Sequence, residues 1–236
     1  MKKIKNYLIV GGSSGIGLEI TKHLASEGNK VFVLSRNKNQ LELSDNIKFT
    51  ACDVLAESDA FPSIDDHLNG IAYCPGSINL KPFKSFKEND YLDDFNLNAL
   101  GVVKVINQYL PNLKKVEKSS IVLFSTVAVQ TGMPYHSSVA MAKGAVEGLT
   151  RSLAAEFAPN IRVNAIAPSI TDTPMASRLL SSDEKRQSSA KRHPLNSIGN
   201  PVEIAKAAGY LLSDDSGWIT GQIFHIDGGI SSLRLL

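Results

Sequence analysis

Residues 7–17 read Tyr-Leu-Ile-Val-Gly-Gly-Ser-Ser-Gly-Ile-Gly, and this stretch decides the fold. Its four apolar residues predict a buried strand, and residues 17–26 predict a helix with Ile16, Ile20 and Leu24 on one face. Glycines between a strand and a helix let backbone N–H groups approach a pyrophosphate at the helix N-terminus. The spacing alone also suits a tight turn that needs positive φ, but the flanking strand and helix favour a nucleotide site. The predicted cofactor-binding residues of this turn are Gly11, Ser13, Ser14, Gly15, Ile16 and Gly17.

Beyond this unit, short apolar runs alternate with helical patterns. Further strands are predicted at 31–34, 47–51, 70–74, 121–124, 161–166 and 222–226, and helices at 93–109, 139–157 and 204–212. Continuous apolar strands joined by helices indicate a parallel sheet covered on both faces. The predicted fold class is therefore α/β, a doubly wound Rossmann fold with a seven-stranded parallel sheet flanked by helices, in a single domain over residues 1–236.

Two kinds of connection stand out in this pattern. The segments 37–46 and 55–69 are short, so we expect stunted helices and thin cover beside the second and third strands. The segment 174–201 is polar and charged without a clear period. In a doubly wound fold it follows the carboxyl end of a strand, where ligands bind, so we predict that it forms a substrate lid.

Composition excludes several classes of partner. The chain has 236 residues and a net charge of +2, which is too weak to argue for nucleic acid. No run approaches the roughly 18 apolar residues of a membrane helix, so no membrane partner is expected. Cys52 and Cys74 lie in strand-like contexts that are typical of reduced, buried thiols. They predict a cytoplasmic protein without a cysteine metal site.

The end of the second strand predicts which dinucleotide binds. An NAD site needs a carboxylate there to accept hydrogen bonds from the ribose hydroxyls, but this chain has Ser35-Arg36. A guanidinium binds a 2′-phosphate with two parallel hydrogen bonds. We therefore expect NADP(H) to be favoured over NAD(H), the alternative being that Arg36 is a solvated surface residue.

The chain resembles the short-chain dehydrogenase/reductase family over nearly its whole length. The resemblance rests on Gly11-x-x-x-Gly15-x-Gly17, Asp53-Val54, Asn98, Lys143, the segment 164–168 and the segments 219–222 and 227–229. It implies that Asp53 and Val54 lie near the adenine and that Lys143 holds the nicotinamide ribose. It also implies cofactor contacts for Gly76, Pro168, Thr171 and Thr173. Ser169 stands where the family has glycine.

The same resemblance implies hydride transfer between a nicotinamide and a small carbonyl or alcohol substrate. The family's proton donor is a tyrosine four residues before the lysine, and its serine lies thirteen residues earlier. In this chain those positions are Val139 and Thr126. Asn98, Thr126 and Lys143 are thus the catalytic residues that the resemblance implies, and a valine can neither donate nor accept a proton.

Three hypotheses follow for the missing donor. In the first, the chain is an oxidoreductase and Tyr135 or His136, just before the predicted helix, supplies the proton. In the second, it is a cofactor-binding pseudoenzyme or redox-responsive binding subunit without turnover. In the third, it reduces a substrate that does not need the tyrosine, such as an activated double bond.

The predicted helix over 139–157 carries one face of small residues. They are Ala140, Gly144, Ala145, Gly148, Ser152 and Ala155. In the resembled family this helix pairs with its copy in another subunit, which implies a homodimer or homotetramer. The alternative is close packing against another helix of the same chain.

Overall fold

Seven parallel strands form one sheet in the part of the chain that the computed structural model describes, residues 4–57 and 61–234. The strands are β1 (Asn6–Val10), β2 (Lys30–Ser35), β3 (Ile47–Ala51), β4 (Gly70–Tyr73), β5 (Ser119–Phe124), β6 (Ile161–Pro168) and β7 (Ile223–Ile226). Their order in the sheet is β3-β2-β1-β4-β5-β6-β7. The predicted Rossmann fold is confirmed. Residues 1–3, 58–60 and 235–236 of the single domain predicted over 1–236 lie outside the described part.

Helices cover both faces of the sheet. They are α1 (Gly15–Ser26), α2 (Glu88–Phe95), α3 (Gly101–Leu113), α4 (Val127–Thr131), α5 (Ser137–Phe157), α6 (Asp183–Lys191) and α7 (Pro201–Leu212). One apolar core holds residues of α1 and α7 such as Ile20 and Ile204, and the other holds residues of α3 and α5 such as Val105 and Val146. Within the described ranges, none of the helices has the length and apolarity that crossing a membrane requires.

The order of the strands reverses between β1 and β4. From β1 the chain builds outward to β2 and β3, and from β4 it builds the other way to β7. Loops that leave neighbouring strands at such a reversal diverge and leave a crevice beyond the carboxyl ends of the strands. The glycine turn after β1 and the residues after β4 therefore face each other across that crevice.

Helical cover is thin beside β2 and β3, as the short connections predict. Among the described residues, no helix lies between β2 and β4. The strand β3 is consequently at the edge of the sheet, and none of its residues is fully buried.

The helix predicted over 93–109 is present, and a π turn that the sequence did not predict lies within it. Residues Asn96–Leu100 form the π turn between α2 and α3. The hydroxyl of Tyr73 on β4 donates to the carbonyl oxygen of Leu97 at 2.6 Å. A Cβ on Gly101 would collide with that hydroxyl. The turn exists because Tyr73 takes over a carbonyl that an α-helix pairs with Gly101.

The predicted lid contains local structure that its polar sequence did not reveal. A 3₁₀ turn spans Pro174–Ala176, and α6 follows it. The hydroxyl of Ser182 accepts from the backbone N–H of Lys185 at 3.3 Å and caps α6. An ion pair between Arg186 and Asp172 ties the helix to the chain that leaves β6.

Candidate active site

A cavity of about 530 Å³ opens at the carboxyl edge of the sheet, at the reversal between β1 and β4. Its walls include all but two of the residues predicted for the site. The exceptions are Asn98, which is fully buried, and Tyr135, which is 58 % exposed. The predicted residues that line it are Gly11, Ser13, Ser14, Gly15, Ile16, Gly17, Ser35, Arg36, Asp53, Val54, Gly76, Thr126, His136, Lys143, Pro168, Thr171 and Thr173.

The glycine turn closes tightly under one wall. A Cβ on Gly17 would collide with the carbonyl oxygen of Gly11, and one on Gly11, whose φ is +74°, would lie 3.1 Å from the nitrogen of Pro75. Ser14 precedes α1, and within the described residues its side chain does not cap that helix. The first N–H groups of α1 therefore point at the cavity with capacity to bind an anion. These features fit the pyrophosphate of a dinucleotide.

Polar groups converge at the end of β2. The hydroxyl of Ser35 is buried and has no hydrogen-bond partner among the described residues. Arg36 is exposed and lines the cavity beside it. Asn39, which the sequence did not single out, donates to the hydroxyl of Ser13 at 3.0 Å. The hydrogen of that hydroxyl remains able to donate to a ligand.

Lys143 is a buried cation at the floor of the cavity. Its Nζ donates to the carbonyl oxygen of Phe124 at 2.8 Å, and the residue is only 7 % exposed. Burial lowers its pKa from the ordinary 10.5 to about 8, against the opposing influence of Cys74 and Asp94. Burial also raises the pKa of the Cys74 thiol to about 12, so this neighbour is protonated at neutral pH.

Asn98 lies directly behind the floor. Its Nδ2 donates to the hydroxyl of Ser77 at 3.0 Å and to the carbonyl oxygen of Asp94 at 2.8 Å. Its Oδ1 is buried without a partner in the described part of the chain. A Cβ on Gly76 would lie 3.3 Å from this oxygen and 3.4 Å from Lys143 Nζ. The missing side chain of Gly76 thus leaves a space that both polar atoms border.

A buried carboxylate holds this floor together. Asp94 is 4 % exposed and accepts hydrogen bonds from the hydroxyls of Ser77 at 2.5 Å and Ser138 at 2.6 Å. Ser138 belongs to the first turn of α5, whereas Asp94 belongs to α2. The contact fixes the start of α5 and therefore the positions of the residues that α5 presents to the cavity.

The chemical end of the cavity carries hydroxyl, imidazole and aliphatic groups. Thr126 caps α4 by accepting from Ala128 N at 3.3 Å, which leaves its hydroxyl hydrogen available. Val139, at the position where the resemblance places the tyrosine, is 6 % exposed and lines the wall. His136 Nδ1 lies 2.7 Å from the carbonyl oxygen of Pro134. Its neighbour Tyr135 lies outside the cavity with a φ of +71°.

A second imidazole, from the lid, was missed by the sequence reasoning. It lies in the segment 174–201, which is polar and charged in sequence, yet His193 is 3 % exposed and lines the cavity. Its Nε2 lies 2.8 Å from the hydroxyl of Ser169, and its Nδ1 lies 2.8 Å from the carbonyl oxygen of Ser189. The one feature of the sequence that could have indicated this contact was Ser169, because the resembled family has a glycine at that position.

The chain was compared with known proteins. The family model described as enoyl-(acyl carrier protein) reductase matches residues 10–231. The chain belongs to the short-chain dehydrogenase/reductase family. The 3-oxoacyl-(acyl-carrier-protein) reductase FabG of Thermotoga maritima is 31% identical over 245 residues, which cover 94% of this chain and 96% of the relative.

Solved structures agree with the fold over its whole length. The ligand-free aldohexose dehydrogenase of Thermoplasma acidophilum superposes with a TM-score of 0.89 at 26% identity, covering 99% of this chain and 96% of the other. ElxO with NADP bound superposes with a TM-score of 0.86 at 28% identity, covering 98% and 100%. A dehydrogenase or reductase fold that binds a nicotinamide dinucleotide is therefore shown.

Because Lys143 is buried, we expect the folded protein to become more stable as the pH rises. Its pKa is about 8 when folded and about 10.5 when unfolded, so the unfolded chain binds more protons between these values. The free energy of unfolding therefore rises with pH across this window. Below the window the buried charge of Lys143 destabilises the folded protein fully, and above the window the lysine is neutral and this destabilisation is gone. Between pH 7.5 and 10.5 the wild type should gain up to about 3 kcal/mol relative to Lys143→Met, at about 1.36 kcal/mol per pKa unit.

Urea unfolding at these two pH values measures the gain. The Lys143→Met control loses the titrating group, and the carbonyl that it leaves unpaired lowers stability equally at both pH values. The same pH dependence in the two proteins would show that the pKa of Lys143 in the folded protein lies close to its value in the unfolded chain.

Proposed function

We propose that this protein is an NADP(H)-dependent oxidoreductase that transfers a hydride to or from a small carbonyl or alcohol substrate, with a non-standard proton donor. The observation that carries the proposal is one cavity that holds the glycine turn, the Ser35–Arg36 pair, Thr126 and Lys143. The names of similar proteins support the reaction class, since they include a 3-oxoacyl reductase and an aldohexose dehydrogenase.

The preference for NADP(H) rests on the end of β2. A 2′-phosphate placed there meets the guanidinium of Arg36, the unpartnered hydroxyl of Ser35 and the hydroxyl of Ser13. A 2′-hydroxyl of NAD(H) finds no carboxylate at Ser35 or Arg36 to accept its hydrogen. The NADP in the similar ElxO structure is consistent with this preference.

Arg36→Ala should weaken NADPH binding by about 10- to 100-fold, because a hydrogen bond to a charged group contributes about 1.5–3 kcal/mol. NADH affinity should stay unchanged. Arg192→Ala is the matched control, since Arg192 lines the same cavity from the lid. Fluorescence titration of both cofactors measures the ratio, and equal binding of NADPH and NADH by the wild type would contradict the preference.

Each side chain at the chemical end has a role that its geometry supports. The cofactor, when bound, supplies or accepts the hydride. The free hydroxyl hydrogen of Thr126 can donate to the substrate oxygen. Lys143 holds the ribose hydroxyls of the cofactor with its remaining N–H groups. Of the two donors predicted from the sequence, His136 lines the cavity and Tyr135 does not, which favours His136 over Tyr135.

Val139 also favours a second candidate function. A valine at the position of the proton donor supports a cofactor-binding pseudoenzyme or a redox-responsive binding subunit without turnover. A reductase acting on an activated double bond is the third possibility, and the description of the matching family model names an enoyl reductase. NADPH oxidation with a panel of ketones, diketones and enones separates the three functions.

Val139→Tyr should raise kcat on the best carbonyl of that panel by at least about tenfold, because a positioned proton donor contributes about 10²- to 10⁴-fold in general. Val139→Phe is the matched control, since it adds the ring without the hydroxyl and should give no gain. Stopped-flow absorbance of NADPH measures both. Equal rates in the two variants would show that the phenol does not reach the reacting oxygen.

We also propose that the protein is a homodimer or homotetramer in the cytoplasm. The small-residue face of α5 supports the assembly, since a Cβ on Gly148 would meet nothing within 4 Å and one on Gly144 only Val129 at 3.9 Å. Cys52 and Cys74 are free, which supports a reducing compartment.

Light scattering at micromolar concentration should give two or four times the chain mass of 25.5 kDa. Gly148→Arg, which fills the open space on α5 with a large charged side chain, should return a single chain mass with the circular dichroism of the wild type. A wild type that already has the mass of one chain would contradict the assembly.

A further inference from the structure

The hydroxyl of Ser169 and the imidazole of His193 form a pair that no part of the proposed function uses. Ser169 follows β6, and His193 comes two residues after the end of α6. Both line the cavity, and their Oγ and Nε2 atoms are 2.8 Å apart. We propose that this pair delivers the proton to the substrate oxygen, in place of the tyrosine. The proposal rests on the oxidoreductase function proposed above.

The surroundings satisfy His193 in both protonation states. In the neutral ring, Nδ1–H donates to the carbonyl oxygen of Ser189 and Nε2 accepts from Ser169. In the cation both nitrogens donate, and the same two oxygens accept them. A proton can therefore enter and leave without creating an unpaired buried polar atom, which would cost about 1–3 kcal/mol.

The two histidines that line the cavity lie at opposite helix termini, His193 just after the C-terminus of α6 and His136 at the N-terminus of α5. His193 bonds to Ser189, a carbonyl in the last turn of α6, and cations are favourable at helix C-termini. His136 is the N-cap of the 21-residue α5, whose first turn holds no acidic residue, and cations are unfavourable there. The imidazole of His193 thus bonds to the C-terminal turn of one helix, whereas His136 precedes the first turn of another.

Two charged groups come close to His193 along the chain or across the lid. Arg192 precedes it in the chain and turns its guanidinium to the hydroxyl of Ser189 at 3.1 Å. The carboxylate of Asp227 lies next to Gly228, whose added Cβ would meet His193 Cβ at 3.2 Å. That carboxylate accepts from the backbone N–H groups of Gly229 and Ser231. The charged groups on both neighbouring segments therefore have hydrogen-bond partners other than the imidazole.

Ser169 is placed to reach the same oxygen as Thr126. The strands β5 and β6 are neighbours, with Phe124 beside Ile166. The N–H of Ser125 still donates to the carbonyl oxygen of Ile166 at 2.8 Å, and Thr126 and Ser169 follow the ends of these two strands. Adjacent strands lie about 4.8 Å apart, so the two hydroxyls border one part of the cavity. A carbonyl oxygen between them can accept from both.

The proton transfer balances in either direction. When a hydride reaches the carbonyl carbon, the C=O π pair moves to the oxygen, which takes the proton of Ser169 Oγ. Ser169 takes the Nε2 proton of the His193 cation and leaves a neutral ring that keeps its Nδ1 proton. Solvent then returns one proton to Nε2. In alcohol oxidation the same steps run backwards. Ser169 is the catalytic residue here, and His193 is a positioning residue that acts through it.

A mutant cycle with residue 139 tests the proposal. On the best panel carbonyl, Ser169→Gly, Ser169→Ala and His193→Gln should each lower kcat by about 10²- to 10⁴-fold. The affinity for NADPH, titrated without substrate, should stay within about twofold. In the Val139→Tyr background the same changes should cost less than about threefold, because the phenol donates instead. His67→Gln, which removes an imidazole outside the cavity, is the control and should leave kcat within about twofold. His136→Gln tests the competing donor and should lower kcat less than His193→Gln does.

A second measurement tests the same pair without depending on enzymatic turnover. In ¹⁵N NMR of the imidazoles, both ring nitrogens of His193 in the free protein should show hydrogen bonds. The Nε2 signal should shift in Ser169→Gly, whereas the His136 signals should not.

The outcomes separate this proposal from the proposed function. A wild type that turns over and is unaffected by the Ser169 variants overturns the proton relay alone. Equal losses in the Val139 and Val139→Tyr backgrounds, or a loss in His136→Gln as large as that in His193→Gln, overturn it as well. A wild type that binds NADPH but reduces no compound of the panel overturns both proposals.

Discussion

The hydrogen bond from Lys143 to the carbonyl oxygen of Phe124 is the contact on which the site depends. Burying an ammonium costs several kcal/mol unless polar groups surround it. Here the carboxylate of Asp94 and the amide oxygen of Asn98 lie on the same side of the floor. The bond joins α5 to the end of β5, so Thr126 and Val139 cannot shift independently.

Most of the fold was predictable because its information is local. Buried parallel strands appear in a sequence as continuous apolar runs, and the glycine turn appears as a cluster of glycines between a strand and a helix. The features that were missed depend on distant partners or on polar sequence. The π turn needs the hydroxyl of Tyr73 from another strand. The helix α6, with the sequence Asp-Glu-Lys-Arg-Gln-Ser-Ser-Ala-Lys, has no apolar stripe, and the residue that it buries is the polar Ser189.

The cofactor half and the chemical half of the candidate site also differ in how much of their arrangement follows from local sequence. The residues predicted to bind the cofactor follow strands whose order brings them to one edge, so sequence spacing is enough to group them. The candidate proton donors are single residues at the start of a helix and in the lid. Tyr135 and His136 are neighbours, yet of the two His136 lines the cavity and Tyr135 does not. His193 looks like part of a charged surface until Ser169 and Gly228 are seen packed around it.

The π turn before α3 sets the rotational phase of two helices. One residue rotates a helix by about 100°, so the extra residue admitted by Tyr73 turns α2 relative to α3 by that angle. The polar residues Asp94 and Asn98 thereby face the floor, while the apolar stripe of α3, including Val102 and Ile106, faces the sheet. The hydroxyl of Tyr73 thus sets the rotation of α2 relative to α3. One continuous stretch of chain can therefore place polar residues at the floor of the cavity and apolar residues in the hydrophobic core.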